Sequence, residues 1–87
     1  KEVNMSEIVN IEAYRASEER YVPVEVYVDM EAHGVNSWKV KSVNGWSALG
    51  EYGTGTEPDL FHVCLNIDPI TYDQVDAAAR LQLRGER

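Results

Sequence analysis

The clearest pattern in the chain is a strict alternation of apolar and other positions over residues 21–31. Valine or methionine occupies every second position from Val22 to Met30. A period of two in β-branched residues predicts a strand with one buried face. Pro23 lacks a backbone N–H, so we expect this end of the strand at a sheet edge or beside a bulge.

A hairpin should join this strand to the next one. Ala32-His33-Gly34 fits a three-residue loop in which glycine supplies the left-handed conformation. The resulting register places apolar residues opposite each other on one side and acidic or aromatic residues opposite lysines on the other. The predicted pairs are Val28 with Trp38, Val26 with Val40, Tyr27 with Lys39 and Glu25 with Lys41.

Two further strands are predicted after the hairpin. Asn44-Gly45 is a strong short turn signal, because a type I′ turn needs positive φ at both central residues. It predicts a short third strand over about 46–52, followed by a glycine-rich loop over 53–58. A fourth candidate strand covers 60–67, and its apolar face consists of Phe61, Val63, Leu65 and Ile67.

A C-terminal helix is well marked at both ends. Thr71 and Gln74 have the capping-box spacing, and Gly85 is placed to end the helix. Asp76 and Arg80 are four residues apart, the spacing of a surface ion pair on a helix.

The N-terminal residues 1–20 are ambiguous. Asn4 and Glu7 have the capping-box spacing, and the apolar positions that follow fit a helix loosely. The same stretch also alternates like a strand at Val9, Ile11 and Ala13. We expect a helix here.

Together these elements predict one small α+β domain over residues 1–87. An N-terminal helix or arm (1–20) precedes an antiparallel β-meander of three or four strands (21–68), and a C-terminal helix (69–87) follows. Both helices should cover the apolar face of the sheet, which leaves the mixed face to water or to a partner. From a length of 87 residues we expect a single domain.

The charge balance restricts the partners. Eight lysine and arginine residues stand against fifteen aspartate and glutamate residues, which gives a net charge of −7. Nucleic-acid binding depends on clustered basic residues that neutralise phosphates. We therefore expect no direct contact with nucleic acid and none with a membrane. No sequence run approaches the ~18 apolar residues of a membrane-spanning helix.

The order of predicted elements resembles that of the double-stranded-RNA-binding domain. In that family the last helix opens with a lysine-rich segment that grips phosphates. Residues 71–76 of this chain, at the start of its predicted last helix, read Thr-Tyr-Asp-Gln-Val-Asp and would repel RNA. The resemblance is one of element order alone, and the sequence identifies no family.

Cysteine and histidine offer one candidate chemical site. His62 and Cys64 would project from the same strand face, where they could serve as two metal ligands or as a nucleophile pair. A structural zinc site needs about four ligands, and the nearby spacing supplies no clear set. We expect a buried, inert Cys64, no cofactor and no bound metal. Because Cys64 is the only cysteine, we also expect a reducing compartment, the cytoplasm.

The candidate binding residues combine an acidic strand face with aromatic side chains that the apolar face does not need. Carboxylates along one strand face would dock on a basic partner, and tyrosine and tryptophan dominate binding hot spots. The alternative interpretation is an ordinary solvated face. The residues expected to bind a partner are Glu25, Tyr27, Asp29, Glu31, Trp46 and Tyr52.

Three functional hypotheses follow. The leading one is a small, acidic, non-catalytic protein-binding module, an inhibitor or adaptor that occludes a partner's surface; a basic nucleic-acid-handling protein is one candidate partner. The second is a homo-oligomer that packs through the mixed sheet face around Tyr27, Leu60, His62 and Cys64. The third is a small enzyme or metal site at His62 and Cys64. We do not expect an enzyme, since no acid–base pair or activated nucleophile is legible.

Overall fold

The computed structural model describes residues 7–47 and 66–85 of the chain. In these ranges, four strands form one antiparallel sheet in chain order, a meander. An α-helix near the C-terminus completes an α+β arrangement. The elements are β1 (Glu7–Arg15), a 3-10 turn (Ala16–Glu18), β2 (Arg20–Glu31), β3 (Gly34–Val43), β4 (Trp46–Ser47) and α1 (Tyr72–Arg84).

The expectation of a helix within residues 1–20 is wrong for the described part of that stretch. Residues 7–15 form β1, which pairs along its whole length with β2. Three apolar side chains in alternating positions are buried against the core: Val9, Ile11 and Ala13. The alternation decides the outcome because a strand buries all three on one face, whereas β-branched residues are restricted in a helix.

The β2–β3 hairpin keeps most of its predicted register. Three predicted pairs are confirmed: Val28 with Trp38, Val26 with Val40, and Tyr27 with Lys39. The loop is shorter than expected, because Glu31 already pairs with Gly34. Glu25 pairs with Ser42 rather than with Lys41.

Two β-bulges in β3 account for these differences. The register shifts between Asp29 and Met30 and again between Glu25 and Val26, so β3 carries an extra residue at Asn36 and at Lys41. Apolar residues of β3 therefore meet the apolar face of β2 at unequal intervals. The buried positions of β3 on this face are Val35, Trp38, Val40 and Val43.

The two later strand predictions are tested only in part. Trp46–Ser47 form β4 after the Asn44-Gly45 turn, and residues 48–52 lie outside the described residues. For the strand expected over 60–67, residues 60–65 also lie outside them. Asn66 and Ile67 form a turn and a bend rather than a strand.

Pro23 sits in a central strand without disturbing a ladder. Along β2, pairing with β3 begins at Val24, which pairs with Val43 and directly follows Pro23. The Pro23 carbonyl accepts a hydrogen bond from the Asn44 N–H at 2.7 Å, so this edge of the Pro23 backbone faces the residue directly after β3. The missing N–H is therefore harmless there.

One face of the sheet and α1 enclose the core. Val75 and Ala79 of α1 are fully buried against the valines of the sheet, and Trp38 is fully buried as the sequence predicts. The helix ends as predicted: Thr71 and Gln74 form a capping box, and Gly85 adopts a left-handed conformation at the C-cap. No helix within the described ranges is long and apolar enough to cross a membrane.

Side chains of α1 fix the β2–β3 turn. The Asp76 carboxylate accepts from the Val35 N–H at 2.9 Å and from Arg80 Nε at 2.8 Å. Arg80 also donates to the His33 carbonyl at 2.5 Å. Arg84 donates to the carbonyl oxygens of Glu31 and Ala32. This contact between helix and turn orients the end of the hairpin.

A second contact of α1 occupies the edge of β1. The Asn10 N–H donates to Gln82 Oε1 at 2.8 Å, and Gln82 Nε2 donates to the Asn10 carbonyl at 2.7 Å. The Gln82 amide thus makes the two hydrogen bonds that a neighbouring strand would make. Covering exposed backbone groups in this way protects an edge strand from pairing with another chain.

Candidate functional site

The candidate site lies on the outer face, which we define as the face of the sheet opposite α1. Cross-strand partners share a face, so the pairing assigns its side chains. In the described residues the outer face consists of Ile8, Asn10, Glu12 and Tyr14 of β1, Tyr21, Pro23, Glu25, Tyr27, Asp29 and Glu31 of β2, Ser37, Lys39, Lys41 and Ser42 of β3, and Ser47 of β4.

Apolar and aromatic side chains of the outer face are partly exposed. Tyr21 is 62% exposed, and its ring meets that of Tyr14 edge to face with centroids 5.2 Å apart. Ile8 is 38% exposed and pairs with the half-buried Tyr27. Such side chains offer contact area that the protein's own core does not use.

Sequence reasoning missed the β1 half of this face. Ile8 and Tyr14 project from β1, which was expected to be a helix, and Tyr21 was not selected. A signal for them was present. Once Val9, Ile11 and Ala13 are assigned to the inner face of a strand, the residues between them must project from the other side.

Three of the predicted acidic residues share the outer face on β2. Asp29 accepts a hydrogen bond from the Asn36 side-chain amide at 3.1 Å. Glu31 is exposed beside the hairpin turn. Glu25 lies further along the strand and is 42% exposed at its side chain.

Glu25 is the centre of a polar cluster on the outer face. The Lys41 bulge places two consecutive β3 residues on the outer face, and both donate to Glu25 Oε1. Ser42 Oγ lies 2.7 Å and Lys41 Nζ 3.3 Å from that oxygen. The Ser42 hydroxyl and then the Lys41 ammonium hold the pKa of Glu25 below its ordinary value.

A shallow groove lies beside this cluster. It has a volume of about 250 Å³ and crosses β2, β3 and the β3–β4 turn. Its walls combine a carboxylate, an ammonium group, hydroxyls, an aromatic ring and exposed backbone. The described residues that line it are Glu25, Tyr27, Lys41, Ser42, Gly45 and Ser47.

Of the two aromatic candidates from the third predicted strand, the structure describes Trp46, which does not line this groove. Trp46 is 79% exposed, but its cross-strand partner is the core residue Val43, so it belongs to the opposite face at the sheet edge. Tyr52 lies outside the described residues. The structure therefore brings together Glu25, Tyr27, Asp29 and Glu31 of the six predicted binding residues.

The residues of the metal or enzyme hypothesis are His62 and Cys64. Both lie outside the described residues, as does Leu60. Among residues 7–47 and 66–85, no three His, Cys, Asp or Glu side chains are grouped so as to hold a metal ion.

Comparison with models of protein families, with curated proteins and with solved structures finds no match for this chain.

Proposed function

We propose that the protein is a small, non-catalytic protein-binding module that acts by covering part of a partner's surface with its outer face. The partner is expected to present basic side chains there, as an inhibitor or adaptor of a basic protein would require. The observation that supports the proposal most is the combination, on one sheet face, of exposed Tyr21 and Ile8 with the carboxylates of β2.

The burial pattern favours the outer face over the other surfaces. On the inner face, Val75 and Ala79 of α1 are buried against β1, β2 and β3, and the exposed Trp46 lies apart at the edge strand β4. On α1, Leu81 is the exposed large apolar side chain, at 50%. The outer face instead presents several aromatic and apolar side chains from two adjacent strands, the composition typical of binding hot spots.

The charge pattern supports a basic partner. The chain carries a net charge of −7, and the outer face adds Glu12 to the three carboxylates of β2. Complementary charge steers association and selects the partner. We place this activity in the cytoplasm, because a single cysteine allows no intramolecular disulfide.

Self-association through the same face is the second candidate. The acidic side chains of β2 lie beside Lys39 and Lys41 of β3, so a two-fold axis between these strands would set acids of one copy against lysines of the other. Sedimentation at several concentrations separates the two functions: a monomer at micromolar concentration removes the homo-oligomer.

Site-specific photo-cross-linking tests the proposed function. A photoreactive phenylalanine analogue replaces Tyr21 on the outer face or, as the matched control, Leu81 on α1; both positions are exposed to a similar degree. Irradiation in nuclease-treated extract should link the Tyr21 variant to one protein in stoichiometric yield.

The Leu81 variant should give only background in the same extract. Equal products from both positions, or none from Tyr21, would refute binding through the outer face. A product whose mass is twice that of the chain would instead support the homo-oligomer.

A further inference from the structure

In the groove, the two carboxylate oxygens of Glu25 differ in their hydrogen bonds. Both donors that reach Glu25 within the described residues bind the same oxygen, Oε1. Oε2 therefore accepts no hydrogen bond from the described part of the chain. A carboxylate has about four lone-pair sites over its two oxygens, so Oε2 retains its capacity for a charged donor.

The Lys41 bulge is the structural cause of this arrangement. Without the extra residue, Lys41 alone would stand opposite Glu25, as the sequence predicts. The bulge brings in Ser42 as a second donor, and the two hold the carboxylate in one orientation. Bulges commonly re-aim side chains next to functional sites.

The other walls of the groove restrict the chemistry of the ligand. Tyr27, an aromatic residue on the same strand and face as Glu25, lines the groove together with Gly45 and Ser47. The volume of about 250 Å³ corresponds to roughly eight waters, which is enough for one long side chain.

We propose that this groove binds one arginine side chain of the partner, with the guanidinium donating to Glu25 Oε2 and stacking against Tyr27. A planar guanidinium combines several donors with a face that stacks on aromatic rings, whereas the compact lysine ammonium offers only a point charge. This assignment rests on the proposed function for the source of the arginine, and it makes the groove the anchor point of the outer face.

Removing the charge of Lys41 should have opposite effects on a cationic ligand and on a hydrogen-bond acceptor. Its ammonium lies 3.3 Å from Oε1 and repels a second cation in the groove. Removing this charge should therefore strengthen arginine binding. The same change would weaken a ligand that uses Lys41 as a donor, such as a carboxylate, a phosphate or a peptide carbonyl.

The experiment is an amide NMR titration of the whole chain with the blocked peptide acetyl-Gly-Arg-Gly-amide. The matched probes replace arginine by lysine or by the uncharged isostere citrulline. Saturable shifts should centre on the amides of Lys41, Gly45 and Ser47. The arginine peptide should bind at least about threefold more tightly than the lysine peptide, and citrulline should bind not at all.

Two variants complete the test, with folding checked by the dispersion of the same spectra. Glu25→Gln should weaken binding of the arginine peptide about tenfold or more, whereas Asp68→Asn, which removes an exposed carboxylate outside the outer face, should change it less than about twofold. Lys41→Gln should tighten it. Equal binding of arginine and lysine peptides, an unchanged Glu25→Gln variant, or weaker binding by Lys41→Gln would each overturn the arginine site.

The outcome is separable from that of the proposed function. Cross-linking at Tyr21 together with a failed peptide titration would leave the binding module intact and remove the arginine anchor. A successful titration without any cross-linked partner would do the reverse.

Discussion

Gly34 is the residue on which the contact between helix and hairpin turn depends most. Its φ is +130°, and a Cβ built there would lie 2.6 Å from both an Arg80 nitrogen and an Asp76 oxygen. Gly45 also has a positive φ, +84°, but a Cβ there would meet no atom of residues 7–47 or 66–85 within 4 Å. A substitution at Gly45 would therefore add backbone strain alone, whereas one at Gly34 would add both backbone strain and steric conflict.

Gly34→Ala should therefore destabilise the protein more than Gly45→Ala. Both variants adopt an unfavourable φ, and Gly34→Ala must also displace the ion pair, which adds about 1–3 kcal/mol by analogy with overpacking. Urea denaturation at neutral pH measures the two free energies of unfolding. Equal losses would show that the side chains of α1 yield freely and do not lock the turn.

Asp76 should make the stability of the fold sensitive to acid. Burial opposes its ionisation, but hydrogen bonds from Arg80 and the Val35 N–H, together with the charges of Arg80 and Arg84, lower its pKa below the ordinary 3.8. A lowered folded-state pKa gives stability that is present above the pKa of the unfolded chain and is lost as pH falls through the folded value.

Asp76→Asn should remove this pH dependence. We expect the variant to lose about 1–2 kcal/mol at neutral pH, since charged hydrogen bonds are replaced by neutral ones. Below about pH 4 its stability should fall less steeply than that of the wild type. Urea titrations between pH 2 and 7 measure both effects, and Asp68→Asn, an exposed carboxylate, is the control. Parallel curves for wild type and Asp76→Asn would contradict the assignment.

At the scale of elements, the sequence predicts the features that depend on neighbouring residues, such as caps and turns. It misses the features that depend on which strands pair with each other. The capping box at Thr71 and the turn at Asn44-Gly45 are local, and both are observed. Residues 7–15 fit two local patterns, and their pairing with β2 selects the strand. The two bulges of β3 follow from burial across the sheet, so a simple two-residue period cannot locate them.

The edge of β1 offers a test of an element-level contact. Gln82→Ala removes both hydrogen bonds to the Asn10 backbone while leaving the buried face of α1 unchanged. The Asn10 amide should then exchange with solvent at least about tenfold faster, because exchange no longer requires a hydrogen bond to open first. Amide hydrogen exchange by NMR measures this rate. An unchanged Asn10 rate in Gln82→Ala would mean that the side chain does not protect the edge.

At the scale of the whole molecule, net charge and sheet geometry carry different information. The sequence alone predicts an acidic protein that would favour a basic partner, and it selects Glu25 and Tyr27. It does not show that Trp46 lies on the inner face of the sheet, or that the bulge at Lys41 directs two donors to one oxygen of Glu25. Both features depend on the register of β3 with its neighbouring strands.

The central claim, that the outer face binds a basic partner, is tested most directly by affinity measurements on the protein cross-linked at Tyr21. The outer-face variant changes Glu25, Asp29 and Glu31 to lysine. Its control makes the same change in charge at exposed acidic residues that form no ion pair within the described ranges, namely Glu7, Glu19 and Asp68.

Dissociation constants for the purified partner, measured at two salt concentrations, give the answer. The outer-face variant should lose at least about a hundredfold in affinity at low salt, while the control, which shares its net charge, should lose less than about tenfold through weaker steering alone. An equal loss in both variants would mean that only net charge matters, and full affinity in the outer-face variant would place the binding surface elsewhere; either result contradicts the account.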